Sequence, residues 1–96
     1  CNLLENAGVF SIVLECVERK LARQISRSIT IPTIGIGSSN YCDGQILVID
    51  DILGLTDSKM KFVKKFIDAK EIITRVAKKF KTEVKSKKFP TKKNSY

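Results

Sequence analysis

Residues 10–37, FSIVLECVERKLARQISRSITIPTIGIG, contain the pattern that decides the fold. Residues 10–14 form an almost unbroken apolar run, which predicts a β-strand that is buried on both faces. Apolar side chains then recur at helical spacing through residues 18–29, and the segment TIPTIGIG predicts a second strand with Pro32 as its first residue. A strand, a helix and a strand in so short a stretch form a βαβ unit, and its two strands must be parallel.

The chain is expected to be part of a longer protein. Its first residues, CNLLENAGVF, look like the end of a helix, because Leu3, Leu4 and Ala7 share an apolar face. Gly8 follows at the position where a left-handed residue commonly closes a helix. Two parallel strands are also too few for a stable sheet. We therefore expect residues 1–96 to be one portion of a single larger α/β domain, either a barrel or a doubly wound sheet.

The residues after the βαβ unit predict mainly helices. The expected elements are a polar loop at 38–44, a short helix favoured over a strand at 45–55, helices at about 59–67 and 69–86, and a loose basic tail at 90–96. Asp68 and Glu71 are spaced as a capping box between the last two helices. No internal repeat interrupts this order of elements.

Positive charge is concentrated in the second part of the chain. Residues 1–58 carry four Lys or Arg against seven Asp or Glu, net −3, whereas residues 59–96 carry fourteen against three, net +11. A basic segment raises the possibility of nucleic-acid binding. Most of these lysines, however, fall between the apolar positions of an amphipathic helix, where they form its solvated face. Phe89 and Tyr96 are too few to stack bases, so we favour the solvated face over nucleic-acid binding.

Cysteine and apolar content indicate the compartment. Cys1, Cys16 and Cys42, with no histidine anywhere, do not have the spacing of a metal finger. An odd number of cysteines fits a reducing cytoplasm better than a secreted scaffold, and Cys16 is expected to pack as a small hydrophobic side chain. The sequence contains no run of 18 apolar residues, so it does not indicate a membrane span. We therefore predict a cytoplasmic location.

Candidate site residues follow the two predicted strands. Glu15 ends the first strand, and Gly35, Gly37 and Ser38 end the second. In parallel α/β folds the ligand and catalytic groups lie at these carboxyl ends. Two interpretations of Glu15 remain open on this evidence: it is a catalytic carboxylate, or it caps the following helix. The glycines could cradle a phosphate, but they lack the longer nucleotide-binding patterns, and we favour a tight turn that lines a pocket.

A longer ordered pattern resembles the C-terminal part of the ketopantoate hydroxymethyltransferase family. The similar segments are Leu14–Val17, Ile31–Pro32, Ile34–Gly37, Asp43–Val48, Leu53–Leu55, Lys61–Val63, Glu83–Ser86 and Phe89–Pro90. They cover nearly all of the chain in order and spacing.

The resemblance implies a fold and an activity. It implies the last two β/α units and the C-terminal helices of a (β/α)8 TIM barrel. It also implies hydroxymethyl transfer from 5,10-methylenetetrahydrofolate to 3-methyl-2-oxobutanoate, giving 2-dehydropantoate, through an enolate stabilised by Mg²⁺. Glu15 would be the proton acceptor. The complete enzyme would be a homo-oligomer that acts on small molecules and has no nucleic-acid or membrane partner.

The sequence departs from the family pattern at three places. Ser38 and Ser39 stand where the family often has an Ala–Gly pair, and Asp50 stands where histidine is common. The carboxylates that bind magnesium in the family lie in preceding strands, so no metal ligand is expected within residues 1–96. Asp50 and Asp51 are expected to be surface or helix-terminal acids. The alternative functions are a phosphate-binding α/β barrel enzyme of another family and a basic nucleic-acid-binding segment.

Overall fold

A parallel sheet of three strands, in the order β1–β2–β3, organises the first half of the chain. The computed structural model describes residues 1–96. The strands are β1 Ile12–Glu15, β2 Thr33–Ile36 and β3 Gly44–Gln45. The helices are α1 Asn2–Asn6, α2 Arg19–Ser28, α3 Ile49–Leu53 and α4 Ala69–Lys85, followed by a 3₁₀ helix at Lys92–Asn94.

The βαβ unit is confirmed. β1 and β2 pair in parallel, with Leu14 opposite Gly35 and Glu15 opposite Ile36, and α2 connects them. Pro32 lies one residue before β2 and not within it, where its carbonyl accepts a hydrogen bond from the Ile12 amide at 3.0 Å. This position suits a residue that has no amide hydrogen to donate to the sheet.

Only one face of β1 is buried, so the expectation of burial on both faces is wrong for these residues. Ile12 and Leu14 are buried together with Ala22 of α2. Val13 lies on the opposite face and is 56% exposed. Side chains of a strand alternate between faces, and no element within residues 1–96 covers the face that carries Val13. The strand therefore has more apolar side chains than the other elements of residues 1–96 cover.

A polar cluster around the buried Thr33 joins α2, β2 and the residue before β3. Thr33 is fully buried. Its amide and its hydroxyl both donate to Asp43 Oδ2, at 2.8 and 2.9 Å, and its hydroxyl also lies 2.8 Å from Ser26 Oγ. Asp43 thereby holds the chain beside β2 just before it enters β3. The predicted loop at 38–44 consequently ends inside a short strand that the sequence did not indicate.

The predicted helix at 59–67 is absent, which corrects the sequence prediction. The segment instead crosses the carboxyl edge of the sheet, where Phe62 packs against Gly37. The Phe66 amide donates to the Ile52 carbonyl at 2.9 Å, which ties the segment to α3. The apolar residues of this segment have helical spacing, but the segment does not form a helix. Phe62 contacts Gly37, whereas Phe66 is hydrogen-bonded to α3.

The helix predicted at 45–55 is shorter than expected, and the last helix is confirmed. The helix predicted at 45–55 is reduced to α3, and Gly54 closes it with a φ of 69°.

The last helix, α4, begins at the predicted cap. Asp68 accepts a hydrogen bond from the Glu71 amide at 3.0 Å, which forms one half of the predicted capping box. No residue of α4 is buried. The radius of gyration is 22.3 Å, against roughly 13 Å for a compact chain of this length, because α4 extends away from the sheet.

We predict that Asp43→Ala lowers the urea midpoint of unfolding of the complete protein at pH 7. The hydrogen bonds from the Thr33 amide and hydroxyl hold the pKa of Asp43 below its ordinary value. A lowered folded-state pKa gives stability that is present above the unfolded value and is lost as the pH falls through the folded one. The midpoint difference from wild type should therefore shrink below about pH 4. Asp50→Ala is the control, since no hydrogen bond holds its side chain; a constant difference for Asp43→Ala at all pH values would contradict the prediction.

Candidate active site

The carboxyl edge of the sheet brings the predicted site residues together. β1 ends at Glu15, and β2 ends at Ile36 immediately before Gly37 and Ser38. Because the two strands are parallel, their ends lie side by side, and Glu15 is directly opposite Ile36 in the register. The structure therefore places the carboxylate next to the glycine–serine turn.

Glu15 lies on the open face of the sheet. It alternates with the buried Leu14 and shares its face with Val13. Its side chain is exposed and makes no hydrogen bond within residues 1–96. The next residue, Cys16, has a φ of 53° and donates its amide to the Ile36 carbonyl at 2.9 Å. Cys16 is exposed and not packed as expected, because it lies in the turn after the strand and not on its buried face.

A different glutamate caps the helix that follows. Glu18 Oε2 accepts from the Lys20 amide at 2.9 Å and from the Leu21 amide at 3.0 Å. These two hydrogen bonds lower the pKa of Glu18. The N-terminus of α2 therefore has its anionic cap without Glu15. An acid immediately before the first helical residue was the sequence signal for this cap, and the sequence analysis missed it.

Ser38 links the two strand ends. Its hydroxyl donates to the Leu14 carbonyl at 2.6 Å and accepts from the Val17 amide at 3.0 Å. Leu14 and Val17 flank Glu15 and Cys16 in sequence. The hydroxyl therefore closes a short bridge across the chain segment that carries the carboxylate.

The two glycines at the end of the second strand, Gly35 within β2 and Gly37 in the turn after it, have different surroundings. Gly35 is buried, and a Cβ there would lie 2.8 Å from Gln45 Oε1 and 3.2 Å from Cys42 Sγ. Gly37 has a φ of +66°, and a Cβ there would lie 2.6 Å from Phe62 Cγ. The absence of a side chain at Gly35 lets Gln45 and Cys42 pack closely against β2. At Gly37 it permits both the left-handed turn and the contact with Phe62.

Two open cavities meet at Gly37 and Phe62. One, of about 430 Å³, extends past Cys16 to the cationic side chains of Arg19 and Lys61. The other, of about 320 Å³, is mostly apolar. Its further lining residues are Gln45, Ile46, Leu47, Ile52, Lys64 and Phe66. Cavities of this size accommodate small molecules. Phe62, which lines both cavities, was not predicted as a site residue from the sequence.

Carboxylates do not cluster into a metal site within residues 1–96. No three His, Cys, Asp or Glu side chains lie close enough together to hold a metal ion. Asp50 and Asp51 are in the first turn of α3, and Asp51 is buried and accepts a hydrogen bond from the Thr56 hydroxyl. This donor set does not fit Mg²⁺, which takes several oxygen ligands in octahedral geometry. None of the helices has both the length and the apolar character to cross a bilayer.

The fold and the site define part of an α/β protein that carries a carboxylate and a glycine turn at the carboxyl edge of a parallel sheet. The family model described as ketopantoate hydroxymethyltransferase matches residues 1–92. The chain belongs to this family.

Curated relatives carry the name 3-methyl-2-oxobutanoate hydroxymethyltransferase. The chain is 56% identical to the protein of Pelagibacter ubique over 99% of its own length and 37% of the relative's. It is 52% identical to the protein of Thermosipho africanus, over 97% of the chain and 36% of the relative. For Clostridium botulinum the identity is 53%, over 99% and 35%. The chain therefore spans about a third of the length of the relatives it matches.

We predict that Gly37→Ala destabilises the complete protein by about 2–5 kcal/mol. A left-handed backbone costs a residue with a Cβ about 1–2 kcal/mol, and the overlap with Phe62 adds about 1–3 kcal/mol. Gly8→Ala is a matched control, because Gly8 also has a positive φ but nothing lies within 4 Å of the added Cβ. Urea unfolding should show the smaller loss for Gly8→Ala. Equal losses for the two variants would show that the Phe62 contact contributes nothing.

Proposed function

We propose that residues 1–96 form the C-terminal third of a 3-methyl-2-oxobutanoate hydroxymethyltransferase, in which Glu15 is the proton acceptor. Membership of the family and the names of the relatives support the activity. The observation that carries the role of Glu15 is the cap on α2. Glu18 supplies that cap, so the carboxylate at the end of β1 is free for another function.

The proposed reaction needs a base beside the substrate. Hydrogen on the carbon next to the keto group of 3-methyl-2-oxobutanoate is acidic, because its loss gives an enolate. The Glu15 carboxylate would take this proton. The enolate carbon would then form the new carbon–carbon bond to the one-carbon unit of 5,10-methylenetetrahydrofolate. The two carbon–nitrogen bonds of that unit would break and water would supply the hydroxyl oxygen, so the products are 2-dehydropantoate and tetrahydrofolate. This places the protein in the synthesis of pantothenate and coenzyme A.

The one-sided burial of the sheet supports a barrel. In a (β/α)8 barrel the helices cover the outer face of the strands, and the inner face packs against the other strands. α2 covers the face of Ile12 and Leu14, so the face of Val13 and Glu15 would point into the barrel. We propose that residues 1–96 supply its last two β/α units and its C-terminal helices. Glu15 then lies at the carboxyl end of an inner-facing row, where barrel enzymes place their catalytic groups.

The remaining requirements are proposed to come from outside these residues. Mg²⁺ would be bound by carboxylates elsewhere in the complete enzyme, and no step is assigned to it here. The complete enzyme is proposed to be a cytoplasmic homo-oligomer whose partners are its small-molecule substrates. Gly37 and Ser38 would line the substrate pocket, and Gly35 would support the turn from beneath.

The geometry favours this function over a phosphate-binding enzyme. A phosphate cradle needs backbone amides that point into an open turn. Phe62 packs directly against Gly37, and the Val17 amide already donates to Ser38 Oγ. An aromatic ring therefore packs against Gly37, and one amide beside the turn already has an acceptor.

We predict that Glu15→Gln in the complete enzyme lowers kcat by about 10²–10⁴-fold, the usual contribution of a positioned general base. Gln keeps the size of the side chain but cannot accept the proton. The measurement is exchange of the C3 proton of 3-methyl-2-oxobutanoate with deuterated water, followed by NMR in the presence of Mg²⁺. Glu5→Gln on α1 is the control and should exchange at the wild-type rate. Wild-type exchange by Glu15→Gln would show that Glu15 is not the base.

We predict that the 96-residue chain alone is inactive and poorly soluble. Its sheet exposes apolar side chains and an unpaired strand edge, and its residues do not form a magnesium site. Turnover of 3-methyl-2-oxobutanoate and analytical ultracentrifugation of the purified chain would test this. A soluble monomer that unfolds cooperatively and turns over the substrate would contradict it.

A further inference from the structure

We infer that Ser38 is a positioning residue that fixes the proposed base Glu15 at the carboxyl edge of the sheet. The inference rests on the proposed function. Its basis is the pair of hydrogen bonds from one hydroxyl to both sides of the Glu15–Cys16 segment, to the Leu14 carbonyl at 2.6 Å and from the Val17 amide at 3.0 Å. Both contacts are long-range in sequence, so Ser38 attaches the end of β1 to the end of β2.

In this chain the attachment adds to a strand end that has few other hydrogen bonds. The bond from the Cys16 amide to the Ile36 carbonyl is the last hydrogen bond between the strands. Cys16 itself has a φ of 53°, a conformation that costs a residue with a side chain about 1–2 kcal/mol. The Ser38 hydroxyl adds two hydrogen bonds that hold this turn. Without the hydroxyl, the Leu14 carbonyl loses its bond to Ser38, and the Val17 amide loses its acceptor.

The neighbouring serine shows that this role belongs to one residue and not to the loop as a whole. Ser39 is buried, and its hydroxyl accepts from the Tyr41 amide at 3.2 Å. Its carbonyl accepts from Gln45 Nε2 at 2.7 Å. Ser39 thus stabilises the path from β2 to β3, whereas the Ser38 hydroxyl bonds only to the backbone on either side of Glu15 and Cys16. The two adjacent hydroxyl groups offer a matched comparison.

The first test compares Ser38→Ala, Ser38→Thr and Ser39→Ala in the complete enzyme. The rate of C3 proton exchange from 3-methyl-2-oxobutanoate is measured, together with KM for the keto acid and the melting temperature. Ser38→Ala should lower kcat for exchange by about 3- to 10-fold, the effect of losing one hydrogen-bonding group. KM should change little, because both hydrogen bonds of the Ser38 hydroxyl go to the backbone and the hydroxyl is not left to bind the keto acid. Ser38→Thr should restore the rate, and Ser39→Ala should leave it at the wild-type level even if the melting temperature falls.

The second test asks whether Ser38 acts through Glu15. In a Glu15→Gln background, Ser38→Ala should not lower the residual exchange rate further, because the group that it positions is gone. A purely structural role would give losses that multiply. Ser38→Cys, which keeps the size of the side chain with a weaker donor, replaces Ser38→Ala in both tests if the alanine variant does not fold.

The outcomes separate the two claims. If Glu15→Gln slows exchange but Ser38→Ala does not, or if their losses multiply, the positioning role is overturned and the proposed function stands. If the wild-type enzyme does not exchange the proton, or if Glu15→Gln exchanges normally, the proposed function fails and the inference fails with it. Loss of rate in Ser38→Ala, recovery in Ser38→Thr and no further loss in the double variant together support both.

Discussion

The parallel pairing of β1 with β2 is the constraint on which the rest of the structure depends. A parallel pair brings both carboxyl ends to one edge, so a residue from each side of α2 can meet there although more than twenty positions separate them. The register puts Glu15 opposite Ile36, and this pairing leaves Gly37 and Ser38 beside the carboxylate. A shift of one residue would move Glu15 to the face covered by α2 and remove it from the site.

The same sheet explains why the chain depends on residues outside it. α2 buries Ile12 and Leu14, but nothing here covers Val13 or the apolar side chains of α4 such as Ile73 and Val76, which are 58% and 60% exposed. Apolar side chains at this spacing normally lie against another element. Other parts of a longer protein would cover these side chains, which agrees with the share of the relatives' length that the chain spans.

Patterns set by local chemistry were predictable, and patterns set by distant contacts were not. The βαβ unit and the Asp68 cap of α4 follow from periodicity and from the residue before the helix, and both are confirmed. The prediction of a helix at 59–67 was wrong because Phe62 packs against Gly37, and the spacing of apolar residues cannot reveal a contact so distant in sequence. β3 was missed for a related reason, since Asp43 holds it in place through the buried Thr33. The position of Glu15 was predictable, and the cap at Glu18 was predictable too, from an acid immediately before α2, although it was missed.

A base at the end of a strand has an advantage over a base in a loop. The ladder fixes the backbone up to the Cys16 amide, and the left-handed turn at Cys16 then takes the chain away from the sheet. Glu15 is consequently the last residue of β1 whose direction the sheet determines, and it is also beside the open edge where a substrate can approach. A strand end is less constrained than its centre because hydrogen bonds reach it from one side only. The Ser38 hydroxyl, just after β2, adds a bond to the Leu14 carbonyl and one from the Val17 amide. Rigidity and access, which usually oppose each other, are combined at this one position.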